Sequence, residues 1–320
     1  MVNEFMNFLF NGTLQGAVLA LVAIGYSLVY GVGHIMNLAH GAYFMITGYL
    51  LLTMSNYLFP GFLGFTASFS SFSAGFENYM VGLLAVVLAL LIITIIGALS
   101  YILLIKPLQE SAVGVVLVTF GLAFFFQQLI MTTEFGSETW SISEFKFFTG
   151  STEVLGLPLI NQYIFLIIIS IIIVVILALF INKSKLGKSI RAVSQDREAA
   201  TLMGINSNRV FLYTVMISAF LAGVAAILYL PGGTIDGPHM GFTYLTNSFA
   251  VVILGGMGSL FGSVVGAFII GFVGSFTTVI LPALIEGFPG ASWAHVIPII
   301  IIIAMLIIRP QGIFGKKEVD

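Results

Sequence analysis

The chain has 320 residues, 59% of them hydrophobic and only 8% charged, with a formal net charge of −2, where soluble domains average about 25% charged. A chain this apolar cannot cover itself with polar surface in water, and its near-neutral charge supplies no field to attract nucleic acid. It contains no cysteine, which excludes disulfides, thiolate metal sites and cysteine nucleophiles.

A membrane-spanning helix needs about 20 apolar residues. Runs of that kind predict spans at 7–30, 34–55, 79–105, 112–131, 159–181, 210–230, 247–259, 262–284 and 293–308. The expected fold is all-α and polytopic, with eight to ten crossings, some broken at glycines or reduced to half-helices. Short connections suggest one transmembrane domain over residues 1–320. Met1–Phe10 carries Glu4 and no basic residue, so it lacks the basic start of a cleavable signal and the first span is expected to be retained. Asn11-Gly-Thr13 fits a glycosylation pattern that often arises by chance.

The second span holds "MNLAHGAY", where Gly31, Gly33 and Gly41 can loosen the helix around Asn37 and His40. Intramembrane ionisable residues point to function, so His40 and Asn37 are candidates to line a permeation path. The competing reading is that His40 bonds a neighbouring carbonyl and packs the bundle. Residues 59–76 read as an interfacial or re-entrant segment. Gln127 and Gln128 are weaker path candidates near the end of the fourth span. The polar segment 132–158, with Glu134, Glu138, Glu144, Glu153 and Trp140, suits either a solvated cap or a docking surface.

Residues 182–209 stand out as charged within an oily chain. In "KSKLGKSIRAV" (183–193), Leu186, Ile190 and Val193 fall at i, i+4, i+7 among basic residues, as in a helix lying on an anionic membrane surface. A short helix is expected over 195–203, capped by Ser194, with Asp196 and Glu198 in its first turn. Ala199, Ala200 and Met203 would share a face, and Gly204 would end the helix in the left-handed conformation. "GKS" at 187–189 is not a phosphate loop, because position 182 is Asn and a span precedes it.

Further along, Asp236 and His239 lie three apart without a third ligand, so no metal site is expected. Ser292 and His295 lack a nucleophile turn, as does "GMGSL" at 256–260. Asn247 and Ser248 stand at the entrance of a span and offer polar groups to a path. Gly258, Gly262 and Gly266 recur every four residues and predict a close helix–helix approach. "GAFIIGF" (266–272) echoes "GAYFMITGY" (41–49), a hint of two related halves.

Lys106, Lys183, Lys185, Lys188, Arg191, Arg197, Arg209, Arg309, Lys316 and Lys317 fall on one side of these spans, and Lys146 alone on the other. Cytoplasmic loops collect Lys and Arg. The expectation is a multi-pass protein of the cell membrane, with the 182–209 loop and the C-terminus in the cytoplasm and 132–158 outside.

"EAATLMG" within "RAVSQDREAATLMGINSNRV" (191–210) resembles the EAA motif of ABC-importer permeases. Together with "GYSLVYGVGHIMNLAHGAYFMITGY" (25–49), "NSFAVVILGGMGSLFGSVVGAFIIG" (247–271) and "RPQGIFG" (309–315), it is similar to branched-chain amino acid ABC permeases of the LivH type, nearly end to end. The resemblance implies an importer subunit without enzyme activity or cofactor of its own. It would assemble with two ATPase subunits that use ATP, a second permease of the LivM type and an extracellular solute-binding protein. It also implies that Arg191, Asp196, Arg197, Glu198, Ala199, Ala200 and Gly204 form the coupling element that meets the ATPase. Related permeases carry urea and short amides, so the family leaves the substrate open. The chain departs from the family pattern at Ala42, where a Glu is common, at Asn247, where many have Lys, and near Gly274 and Ser275, where a Glu is missing. The predicted spans hold no deep Asp or Glu, which argues against a proton- or sodium-coupled carrier or a channel acting alone.

Overall fold

The computed structural model describes residues 2–58, 74–136, 138–142, 145–154 and 156–315. Helix α1 runs Val2–Gly33 and α2 His40–Thr53. Helix α3 (Ala74–Ser100) continues through a π-turn at Tyr101–Ile105 to Leu108, and α4 is Ala112–Met131. Strands β1 (Ser151–Val154) and β2 (Leu157–Ile160) form an antiparallel hairpin that pairs Ser151 with Ile160. Then come α5 (Asn161–Lys183), α6 (Lys185–Gln195), α7 (Arg197–Leu202) and α8 (Ser207–Tyr229). The chain closes with α9 (Met240–Gly255), α10 (Leu260–Ser275, extended by a π-turn at Phe276–Ile280) and α11 (Gly290–Ile308).

Seven described helices are long and apolar enough to cross a membrane, and α9 is a shorter apolar helix. The chain is a multi-pass α-helical membrane protein. Two expected spans shift most. The span expected at 34–55 becomes helical only at His40, because 34–39 is irregular and His34 takes a left-handed backbone, φ 51°. The span expected at 247–259 runs instead from Met240 to Gly255, where Gly256 at φ 104° ends it. Most of the expected interfacial segment 59–76, namely 59–73, lies outside the described residues, as do Glu144, Lys316 and Lys317.

Helices α1 and α8 form the centre: 83% and 72% of their apolar windows are buried, against 6% for α11. Small residues allow this. Gly12 and Gly16 of α1 receive Phe272 and Phe268 of α10, and Gly271 of α10 lies on the α1 backbone. Gly97 of α3 meets Ala219 of α8, and Gly223 of α8 meets Ile93. In lipid there is no hydrophobic drive between helices, so close backbone approach and its dispersion contacts hold the bundle. Leu91 and Ile95 of α3, Leu117 and Phe124 of α4, and Ile303 of α11 point outward, as residues solvated by hydrocarbon do.

The helix ends gather on two faces. On one face Tyr101 Oη donates to Asn208 O (3.1 Å), Gly31 lies on Gly258, and Ile313 N–H donates to Leu254 O (2.9 Å). This face carries Lys106, Lys183, Lys185, Lys188, Arg191, Arg197, Arg209 and Arg309, and is called the basic face below. On the opposite face Ser275 Oγ donates to Phe8 O (2.8 Å), and Gln162 Nε2 donates to Leu228 O (2.9 Å).

The two halves of the bundle repeat each other in opposite orientation. Helix α1 runs toward the basic face and α8 away from it. Each is followed by an irregular segment and a short helix, with a turn at 38–39 and at 238–239 leading into the helix. Where α2 crosses α9, a Cβ on Gly41 would meet Gly241 O and Leu245, while one on Gly241 would meet Met45. That reciprocity is what a two-fold axis imposes. The third helix of each half carries a π-turn that begins six residues before a proline, Tyr101 before Pro107 and Phe276 before Pro282. A helical proline lacks its N–H and crowds the carbonyl four residues back, and one wide turn relieves both. The repeat therefore pairs 41 with 241, not with 266 as the echo of "GAYFMITGY" in "GAFIIGF" suggested.

Candidate functional site

The charged connection between α5 and α8 folds into two short helices on the basic face. Ser184 caps α6, its Oγ accepting from Gly187 N–H (2.8 Å). Ile190 and Val193 are buried and Leu186 packs beside them, so the apolar side of α6 faces the bundle, not a lipid surface. Lys185, Lys188 and Arg191 stay exposed; Arg191 donates to Asn182 Oδ1 (3.3 Å) and Asn182 O (3.1 Å), which fastens α6 to the end of α5.

Helix α7 is Arg197–Leu202, shorter than the expected 195–203, and its cap is Asp196 and not Ser194. Asp196 Oδ1 accepts from Ala199 N–H (2.9 Å); Ser194 lies inside α6 and turns its hydroxyl to Arg191 O (2.9 Å). Asp wins the cap because the backbone turns extended at 196, φ −155°, which is the geometry a cap requires. Gly204 adopts φ 85°. Its N–H donates to Thr201 O (3.0 Å), and Ile205 N–H donates to Ala200 O (3.0 Å), the two closing bonds of a Schellman motif. Arg197 donates to Gln109 Oε1 (3.2 Å) and Asn208 Oδ1 (3.0 Å), tying α7 to the ends of α3 and α8. Only Ala200 of the expected small-residue face turns inward; Glu198 and Ala199 are exposed, and Leu202 and Met203 are 89% and 84% exposed.

The second feature is a cavity of about 420 Å³ near the opposite face, lined by α1, the 230–239 connection, α9, α10 and α11. Asn247 lines it, beside Gln15, Asp236, His239 and His295. Gly274 lines it too. Its rim is held from outside: Trp140 and Ile235 exchange both backbone hydrogen bonds (3.1 and 2.8 Å), and the Gln127 amide bonds His239 Nδ1 (3.2 Å). Segment 132–158 thus braces the connection that borders the cavity, and it supplies β1 and the start of β2. Thr234 Oγ1 donates to Asp236 Oδ1 (2.6 Å) and orients the carboxylate. Among the described residues no group of three or more His, Asp or Glu is placed to hold a metal ion.

Three of the expected path residues lie elsewhere. His40 is fully buried between helices, with Nε2 against Val22 O (2.8 Å) and Nδ1 against Ser218 Oγ (2.9 Å), a bridge from α2 to α1 and α8. Asn37 is buried and its Oδ1 accepts from Ala39 N–H (3.1 Å), shaping the turn into α2. Ser248 is buried and spends its hydroxyl on Tyr244 O (2.7 Å). Gln128 is exposed on α4. Of the expected glycine face, Gly262 and Gly266 pack α10 against Gly255 and Val251 of α9, but Gly258 precedes α10, in a turn at φ 80° against Gly31. One stripe is therefore two contacts. Asp236, His239 and His295 were missed as cavity residues because the sequence places them in connections and at a helix start; the signal was their polarity beside a span, read only for metal or nucleophile chemistry.

Residues 8–306 match the family model described as "Branched-chain amino acid transport system / permease component". The chain is 29% identical over its whole length to the high-affinity branched-chain amino acid transport system permease protein LivH of Escherichia coli, covering 99% of it. It is 28% identical, again end to end, to the BraD permease protein of Pseudomonas aeruginosa, covering 98%. The LivM permease protein of E. coli is 32% identical over 114 residues, 34% of this chain and 27% of that protein. No solved structure matches. The chain belongs to the family of permease components of branched-chain amino acid transport systems.

Proposed function

We propose that the chain is the membrane subunit of an importer that carries branched-chain or other neutral amino acids inward, driven by ATP hydrolysed on separate subunits. The basic face is cytoplasmic in this reading, in line with the distribution of Lys and Arg. The observation that carries it is α7: a helix capped at both ends, bolted to the ends of two spans, with Leu202 and Met203 left exposed beside it. Apolar side chains exposed at a rigid tip suit insertion into another protein's groove, and such a helix passes on a push that a loose loop would absorb. Two ATPase subunits would meet this surface through Glu198, Ala199, Leu202 and Met203. A second permease of the LivM type would complete the membrane unit, and a solute-binding protein would deliver substrate at the opposite face.

The test is purification of the tagged chain from native membranes in mild detergent, with identification of what accompanies it. An ATPase that co-purifies with the parent chain and is lost with Leu202→Ser plus Met203→Ser supports the reading. A chain that purifies alone after gentle cross-linking, and transports without ATP in liposomes, overturns it.

A further inference from the structure

We propose that the cavity near the opposite face is a binding site for the transported amino acid, with Asp236 receiving its ammonium group; this rests on the importer reading above. The charge inventory comes first. Among the lining residues Asp236 is the one fixed charge, and no Lys or Arg is present. Such a space attracts a cationic group and repels a simple anion. The Asp236 carboxylate has one oxygen engaged by Thr234, and a carboxylate offers about four acceptor positions, so an ammonium finds free, already oriented lone pairs.

Tyr229 and Tyr244 also line the cavity, held in place by ring contacts with each other (centroids 6.4 Å apart at 71°) and by stacking on Tyr163 and Phe44. A zwitterion also needs neutral donors for its carboxylate, which the Gln15 and Asn247 amides supply. Its tail needs an apolar wall, which Val18, Leu19 and Ile297 supply. The volume, about 420 Å³, falls in the range of about 300–1,000 Å³ usual for small-molecule sites. Asp236, His239 and His295 are all exposed, so a ligand reaches the carboxylate from the face where delivery occurs.

The experiment is equilibrium binding of radiolabelled leucine to the purified full-length chain in lipid nanodiscs, with no ATPase present. Saturable binding is expected. Leucine methyl ester, which keeps the ammonium, should compete, and 4-methyl-2-oxopentanoate, which has a carbonyl in its place, should not. Asp236→Asn should weaken binding by about tenfold or more, and Asp236→Glu should recover most of it. Ile297→Trp fills the apolar wall while leaving the carboxylate untouched, and it should weaken binding as much. Loss in both variants supports the site. Parent-like binding by either variant, equal competition by the keto acid, or absence of saturable binding overturns it. Leucine uptake is measured alongside in cells with and without the chain. Uptake that needs the chain, together with no binding, removes the site and leaves the importer reading standing. Binding without chain-dependent uptake does the reverse.

Discussion

Gly41 and Gly241 show what single residues decide here. A Cβ on Gly41 would fall on the Gly241 carbonyl and on Leu245, backbone and side chain that α9 cannot move cheaply. Gly41→Val should therefore cost about 3 kcal/mol, the upper end of overpacking penalties, read as a lower thermal transition in detergent. Gly82 has nothing within 4 Å of its Cβ position, so Gly82→Ala should be neutral or raise the transition slightly by helix propensity, by up to about 1 kcal/mol. His40 makes the complementary case. Its ring joins Val22 O and Ser218 Oγ in a dry interior. His40→Ala removes the partner of the Ser218 hydroxyl, at about 1–3 kcal/mol for a buried group left unsatisfied, while the Val22 carbonyl keeps its bond within α1. The same thermal scan checks it; an unchanged transition would mean that the bridge contributes nothing.

At the scale of the element, α7 depends on its two ends. Six residues are too few for a helix to persist on propensity, so its caps and its links to neighbouring helices hold it. Asp196→Ala removes the bond to Ala199 N–H, a loss of about 1 kcal/mol. Gly204→Val places a β-branched residue at φ 85°, about 1–2 kcal/mol of backbone strain. Neither touches a span. Both variants are expected in the membrane at parent level, with ATP-driven uptake reduced and more ATP hydrolysed per molecule transported. Parent-like coupling in Gly204→Val would count against α7 as the transmitting element.

The whole molecule makes one further commitment. The bundle has a basic face and a face with the β1–β2 hairpin, and the proposed orientation puts the first in the cytoplasm and the second outside. The natural chain has no cysteine, so single introduced thiols report without background. Ser151→Cys should react with a membrane-impermeant maleimide in intact cells, since β1 is exposed. Lys188→Cys, exposed on α6, should react only after permeabilisation. The reverse pattern would invert the molecule and remove the ATPase from α7.

Composition and pattern alone determined the solvent, the helical class, most spans and the segregation of basic residues, because in hydrocarbon every backbone group must be satisfied within the helix, leaving few alternatives for long apolar runs. The charged island at 191–204 was equally legible, since capping residues and a left-handed glycine act locally; even there, Asp196 displaced Ser194 because only position 196 takes the extended backbone. Tertiary structure decided the rest. The inverted repeat is nearly invisible in sequence because it is written in glycine contacts and proline-induced π-turns, not in shared side chains. His40 and Asn247 look alike as polar residues beside apolar runs, but one is locked between three helices and the other borders a cavity. Asp236 gained its place only when the connection after α8 was laid across the mouth of the bundle and pinned by Trp140 and Gln127. Local rules set which residues turn and which span; the packing of distant helices sets which polar groups keep each other satisfied and which remain free to meet a ligand.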